Sequence, residues 1–242
     1  VLIAHLSDLH LDLGRRSADR VRTVVEHVRA LSTRPDLTVV TGDVADHGEA
    51  AEYDRAAELL DGLGAFLVPG NHDARPTMRT LLGLPDGAPF ARTTVVGGTT
   101  VLLADSLLAG HDHGELSPES LALLAEVSAR PGPVVVALHH PPLPVGSALL
   151  DPIRLRDPES LLTPLRERDD PAVVLCGHAH TALSATVDGV PVRIAPGVAS
   201  TLRLSYEPDP DTLDRAAPPG LALHHLDERT GALHTHIRAF AT

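Results

Sequence analysis

The chain has 242 residues, 43% of them hydrophobic and 21% charged, a composition that can bury a core and excludes disorder as the main state. Twenty Arg and no Lys stand against 32 acidic residues, a net charge of −12, which disfavours nucleic acid as a partner because such affinity comes largely from cations neutralising phosphates. No apolar run reaches the eighteen or so residues of a membrane-spanning helix, and the lone Cys176 excludes an internal disulfide framework.

Val1–Leu6 is the first short apolar run and reads as a buried strand, followed by a helix over Ser17–Leu31 with Val21, Val24, Val25 and Val28 on one face. Leu37–Val40, Ala65–Val68, Thr99–Leu103, Val134–Leu138 and Ala172–Leu175 are further strands of the same kind. A helix over Glu49–Leu63 separates two of them. Ser117-Pro118-Glu119 and Asp157-Pro158-Glu159 each combine a cap, a first-turn proline and an early acid, and so open helices; the first should run to about Arg130. Beyond residue 180 the pattern changes to paired strands: Ala182–Val187 and Val190–Ala195 around Asp188-Gly189, a hairpin signal, then Thr201–Tyr206, and a closing hairpin of Leu221–Leu226 with Ala232–Phe240. The Pro-rich stretch Glu207–Pro219 is expected to be an exposed loop. Strand–helix alternation followed by paired strands predicts an α/β fold, two sheets packed together with helices outside, in a single domain over 1–242.

Polar residues collect where the strands end: Asp8 and His10 after the first, Asp43 and Asp46 after the second, Asn71, His72 and Asp73 after the third, His139-His140 after a later one, and His178 and His180 after another. Sites in α/β sheets form outside the carboxyl ends of strands. Imidazole, carboxylate and amide oxygen together suit transition metals such as Mn, Fe or Zn. In an extended segment, Asp8-x-His10 and His178-x-His180 would each point two side chains the same way. Glycines stand before Asp43, Asn71 and His178, where tight turns are expected.

Asp8-x-His10, Gly42-Asp43-x-x-Asp46, Gly70-Asn71-His72-Asp73, His139 and Gly177-His178-x-His180 resemble the full motif set of the calcineurin-like metallophosphoesterases. Thr41–Asp46, Pro69–Asp73, Ala104-Asp105-Ser106, Gly114–Ser117 and His139–Pro142 are similar, further, to bacterial class III cyclic nucleotide phosphodiesterases. The resemblance implies a four-layer αββα fold of two mixed sheets with flanking helices, and two metal ions, Mn or Fe with Zn as an alternative. Asp8, His10, Asp43 and His180 would hold one ion; Asp43, Asn71, His139 and His178 would hold the other, with Asp43 bridging. A metal-bound hydroxide would attack phosphorus of a small phosphodiester, 3′,5′-cyclic nucleotides being the favoured class and 5′-nucleotides the products. His72, with Asn71, would contact the phosphate and assist the leaving group, its ring paired with the Asp46 carboxylate. A homodimer is a further expectation from this resemblance. The alternatives are a phosphomonoesterase using the same centre, or a silent metal-binding scaffold.

Other residues carry plainer readings. Asp46 has a competing role as a helix N-cap near Gly48-Glu49, and His72 one as an orienting group beside the metals. His140 is expected to pack or hydrogen-bond beneath the site, His5 to be a hydrogen-bonded core residue, and Cys176 a small buried hydrophobe. His111 and His113 either line the pocket or face solvent. His234 and His236 share a solvated face of the last strand. Aromatics are only 2%, so base stacking should be weak and cyclic AMP and cyclic GMP should differ modestly. The start, Val1 to Ser7, is too short and polar for a signal peptide, and with the single cysteine this predicts a reducing, cytoplasmic setting.

Overall fold

The structure is a computed structural model and describes residues 1–241. One sheet has the order β13-β12-β1-β2-β3, with β1 (Leu2–Leu6), β2 (Leu37–Thr41) and β3 (Phe66–Val68) parallel. The antiparallel hairpin of β12 (Gly220–Leu226) and β13 (Leu233–Ala239) is added beside β1. The other sheet has the order β4-β5-β6-β7-β9-β8. Its parallel centre is β5 (Thr99–Leu103), β6 (Val134–Ala137), β7 (Ala172–Cys176) and β9 (Val190–Ile194), with β4 (Arg92–Val96) and β8 (Leu183–Val187) antiparallel at its edges.

Every residue of β2, β5, β6 and β7 is buried, as expected of parallel strands covered on both faces. Alternate residues serve different layers. Ile3, Leu37, Val39, Val68, Leu103, Val135 and Leu175 meet between the sheets. Val40 and Leu6 turn the other way, to Val21, Val24, Val25 and Val28 of α1 (Arg15–Arg29) and to α2 (Ala50–Leu60). Leu102, Val136 and Val174 of the second sheet meet Leu124 and Val127 of α4 (Pro118–Ser128) and Leu161 and Leu165 of α5 (Pro158–Arg166). The result is the four-layer helix–sheet–sheet–helix arrangement.

The predicted caps form. Ser117 accepts from the Ser120 amide at 3.1 Å and Asp157 from the Ser160 amide at 3.4 Å. Asp46 is not a cap: α2 is capped by Glu49 in a reciprocal box with Glu52. Three elements differ from the sequence reading. α3 (Arg75–Leu81) was not expected, although Pro76 in its first turn is the signal that marks α4 and α5. β4, a half-exposed edge strand, lacks an apolar run. The strand expected over Thr201–Tyr206 stops at β10 (Thr201–Leu202), because the chain turns back through Asp209 and Asp211, both at positive φ, into β11 (Leu213–Asp214). No helix of the described residues is long and apolar enough to cross a membrane.

Candidate active site

The carboxyl ends of β1, β2, β3, β6 and β7 carry Asp8 and His10, Asp43, Asn71, His139, and His178 and His180 to one place. The side chains do not converge by strand alternation. Asp8, His10, Asp43, His178 and His180 all adopt left-handed backbone, φ between 39° and 67°, where a residue with a Cβ costs on the order of 1–2 kcal/mol. Amide ladders between the loops hold these conformations: Asp8 N–H donates to Gly42 O at 3.2 Å, His10 N–H to Asp43 O at 2.9 Å and Leu11 N–H to Val44 O at 3.0 Å. Of the three glycines before the donors, Gly42 alone needs a positive φ, 86°. Gly70 is needed for room, since a Cβ there would fall on the Asp43 carboxylate.

Asp43 is the centre. Its Oδ2 lies 3.4 Å from His10 Nε2 and 3.4 Å from His139 Nε2, while Oδ1 accepts from the His72 amide at 2.9 Å. On one side His10 Nε2 stands 3.1 Å from His180 Nε2, which is 3.8 Å from Asp8 Oδ1. On the other, Asn71 Oδ1 is 3.0 Å from both His139 Nε2 and His178 Nδ1. The outward nitrogens are already assigned: His139 Nδ1 donates to Thr41 O at 2.7 Å, His10 Nδ1 to Asp46 Oδ1 at 2.8 Å, and His180 Nδ1 is 2.9 Å from Ser200 Oγ. Such partners fix the tautomer and aim the inner nitrogen's lone pair at the cluster. Ser200 lies in no motif, and Thr41, although it opens one, acts through its backbone carbonyl, so the sequence did not disclose either as an orienting group.

Charge and burial match a cation site. Burial works against the ionised Asp43 carboxylate, yet His139 and His10 hold it well below the usual range. Burial likewise opposes protonation of His139, but Asp43 raises its pKa to about 9. Burial pushes Asp8 up to about 6 and, with His10, brings His180 down to about 3. Asp8 Oδ2 is buried with no hydrogen-bond partner among the described residues, as is His178 Nε2; an orphaned group of this kind costs about 1–3 kcal/mol. Asp8, His10, Asp43 and His180 offer donor atoms all within 4.8 Å of one another. The donors fit metal ions: a cation bound here would satisfy the orphaned Asp8 oxygen and would take the place of the proton favoured on His139. His140 sits close enough to His139 and His178 to complete a second such group, but its nitrogens are taken by Ser106 Oγ at 2.9 Å and Asp112 O at 3.1 Å. It packs beneath the site, as the sequence predicts.

The expected Asp46–His72 carboxylate–imidazole pair is not what forms. The Asp46 carboxylate takes His10, and its Oδ1 is 3.9 Å from His72 Nδ1. His72 Nδ1 instead donates to the Asp46 backbone carbonyl at 2.8 Å. The reason is reach: the nearer imidazole, tied to the same loop ladder, claims the side chain. Asp73 has a structural task, its buried carboxylate accepting from the amides of Gly70, Val44 and Ala45 and from Tyr53 Oη. His5 bonds Thr41 and His224 in the core, and Cys176 is buried. His111 is exposed, and Asp112 rather than either neighbouring histidine lines the cavity. His234 and His236 are exposed. The cavity beside the cluster holds about 430 Å³ and is lined by His10, Asp43, Asn71, His72, His178 and His180 among others, a size suited to a small organic ligand.

Residues 1–182 match the calcineurin-like phosphoesterase family. The chain belongs to that family. It is a hydrolytic phosphoesterase of a metal-dependent group, and its relatives agree on the class. It is 36% identical to a cAMP/cGMP dual specificity phosphodiesterase of Mycobacterium tuberculosis, over 84% of this chain and 69% of the relative. It is 33% identical to the 3′,5′-cyclic adenosine monophosphate phosphodiesterase CpdA of Pseudomonas aeruginosa, over 90% and 83% of the two chains. A glycerophosphodiester phosphodiesterase, GpdQ of Enterobacter lignolyticus, is 31% identical over 93% of this chain and 86% of its own length. In structure, a dimetal phosphatase of Danio rerio superposes with a TM-score of 0.71 at 18% identity, covering 94% and 93%, which supports the fold.

Proposed function

We propose that this phosphoesterase, a single domain over 1–242, is a dimetal phosphodiesterase that converts 3′,5′-cyclic nucleotides to 5′-nucleotides. The observation that carries the reading is the Asp43 carboxylate oxygen standing 3.4 Å from an imidazole nitrogen on each of two sides. That is the posture of a ligand shared between two ions. Asp8, His10, Asp43 and His180 would hold the first ion; Asp43, Asn71, His139 and His178 would hold the second. The mixed imidazole, carboxylate and amide set suits Mn or Fe, with Zn also accommodated. Bound there, such ions supply Lewis-acid neutralisation of phosphoryl oxygens and acidify water.

The chain's own residues do the rest. His72 lines the cavity, and its ring meets the His10 ring edge-on with centroids 4.6 Å apart. Since a carbonyl only accepts, Nδ1 of His72 carries a proton toward Asp46 O, and Nε2 is the atom available to the substrate. When protonated there, it contacts the phosphate and gives its proton to the departing alkoxide as the P–O bond breaks and water oxygen bonds to phosphorus, the proton that water releases passing to solvent. Asn71 bounds the same cavity and orients the phosphate beside it. Asp46 is a positioning residue, aligning His10 through its carboxylate and His72 through its carbonyl. The buried thiol of Cys176, the only one, suits a cytoplasmic setting.

The test is hydrolysis by Mn²⁺-loaded protein of cyclic AMP, of bis(p-nitrophenyl) phosphate and of p-nitrophenyl phosphate. Turnover of both diesters above the monoester is the expected result. A monoester preference makes the chain a phosphatase, and silence with all three makes it a binding scaffold.

A further inference from the structure

The cavity is more than the metal edge. Leu149, Leu150, Ile153, Leu202 and Leu213 also line it, as does Arg215. They come from two places in the chain. Leu149 and Leu150 lead into a single 3₁₀ turn, Asp151–Ile153, and Leu202 and Leu213 are directly paired across the ribbon β10–β11. The two pieces are stitched together: Ser147 Oγ donates to Asp211 Oδ1 at 2.6 Å, the Ala148 amide to Ser205 Oγ at 3.1 Å and the Ser205 amide to Gly146 O at 3.1 Å. A second tie fixes the far end, where Arg16 donates to the backbone carbonyls of Ala199 and Arg215. Arg16, tied to these carbonyls, and Arg215, which is exposed and whose side chain makes no ion pair among the described residues, both line the cavity.

This wall leaves apolar surface open to water. Leu149 is 52% and Leu213 is 44% exposed, so covering them with an apolar ligand face is favourable by about 25 cal/mol per Å². A phosphate alone reaches only the donor edge and has nothing apolar to offer. A glycerol substituent is polar throughout. A nucleobase has an apolar face, a polar rim and a flat shape that a guanidinium can stack upon and donate to.

We infer that the Leu149–Leu150–Ile153 segment and the Leu202–Leu213 ribbon, with Arg215, form the subsite for the nucleobase of the substrate. This deepens the cyclic nucleotide reading and rests on it for the identity of the ligand. It explains how a chain with five aromatic residues, none of them Trp and none in the cavity lining, can hold a base: aliphatic contact and one guanidinium replace ring stacking. Neither contact counts hydrogen-bonding groups on a purine closely, so adenine and guanine are both accepted.

The experiment measures binding to the Mn²⁺-loaded protein by calorimetry, with 5′-AMP and inorganic phosphate as the two probes. Arg215→Ala and Leu149→Ser are made separately, both at exposed positions where folding is undisturbed. Each should raise the Kd for 5′-AMP about tenfold, roughly 1.4 kcal/mol, and leave the Kd for phosphate within about twofold. Equal shifts for both probes, or none for either, overturn the assignment, as does a wild-type protein that binds 5′-AMP no better than phosphate. Turnover of cyclic AMP is read in parallel. If it is absent while the selective loss of 5′-AMP binding persists, the cyclic nucleotide reading falls and the base subsite stands.

Discussion

At the donor edge, Asp8, Asp43, His139, His178 and His180 are buried, five residues are held in left-handed backbone, and nearly every outer nitrogen has a fixed partner. At the aliphatic wall, Leu149 and Leu213 are half exposed, β10 and β11 have two residues each, and the fastening is a few hydrogen bonds among Ser147, Ser205 and Asp211. One cavity is thus bounded by a rigid side and a lightly built one. The contrast follows from what each must do. Converging donors need placement to within tenths of an ångström, and a network of hydrogen bonds supplies it. An apolar contact is non-directional and tolerates looser construction.

The sharpest way to break the comparison is at Asp43. Asp43→Ala should reduce diester turnover to the buffer rate and lower bound metal, measured by metal analysis of dialysed protein. Near-normal activity in excess Mn²⁺ would mean that the edge does not depend on a shared carboxylate. His72→Ala comes next. It should keep its metal yet lose about 10²–10⁴-fold in kcat on cyclic AMP, with a much smaller loss on bis(p-nitrophenyl) phosphate, whose phenolate leaves unaided. Losses of equal size on the two substrates would assign His72 to phosphate binding alone.

Asp46→Asn probes the support of the edge. Loosening His10 should weaken metal binding by about 10–100-fold, lowering turnover of good and poor leaving groups alike at limiting metal, with recovery in excess Mn²⁺. Loss confined to poor leaving groups would return the Asp46 carboxylate to His72. Asn71→Ala should behave similarly but more mildly; unchanged activity at limiting metal removes Asn71 from the ligand set.

A further effect is in acid stability, and it separates the two sides by pH. Behind the edge, burial holds His224 near a pKa of about 3, below its unfolded value of about 6.5. Neutral His224 therefore contributes fully above pH 6.5, and the contribution is lost progressively as pH falls from 6.5 toward 3, on the order of 4 kcal/mol in all. At the wall, the hydrogen bond from Ser147 lowers Asp211, so its contribution is present above about pH 3.9 and is lost only below it. Thermal melts against pH should show a first decline between about 6.5 and 4 that becomes shallower in His224→Gln, the remainder coming from other buried neutral histidines such as His5 and His140. Ser147→Ala should leave that decline alone and change only the most acidic part. A decline that ignores His224→Gln would place its source elsewhere in the core.

Much of the edge was legible in the sequence because short apolar runs end in Asp, Asn and His, and a strand's end is a fixed place in a sheet. Apolar runs and caps likewise determined the parallel strands and four of the helices. The sequence could not disclose that Asp8 and His10 converge through left-handed backbone, because that conformation is imposed by amide ladders to Gly42, Asp43 and Val44, in another part of the chain. Nor could it say which imidazole the Asp46 carboxylate would take, since the choice between His10 and His72 is one of distance in the folded loop. The aliphatic wall was invisible for the same reason: Leu149 and Leu213 are ordinary residues in irregular segments, and only packing brings them to the cavity. Residue type and local periodicity determined the elements and the donor chemistry; contacts between residues distant in sequence decided the geometry, because they depend on where the two sheets set the loops.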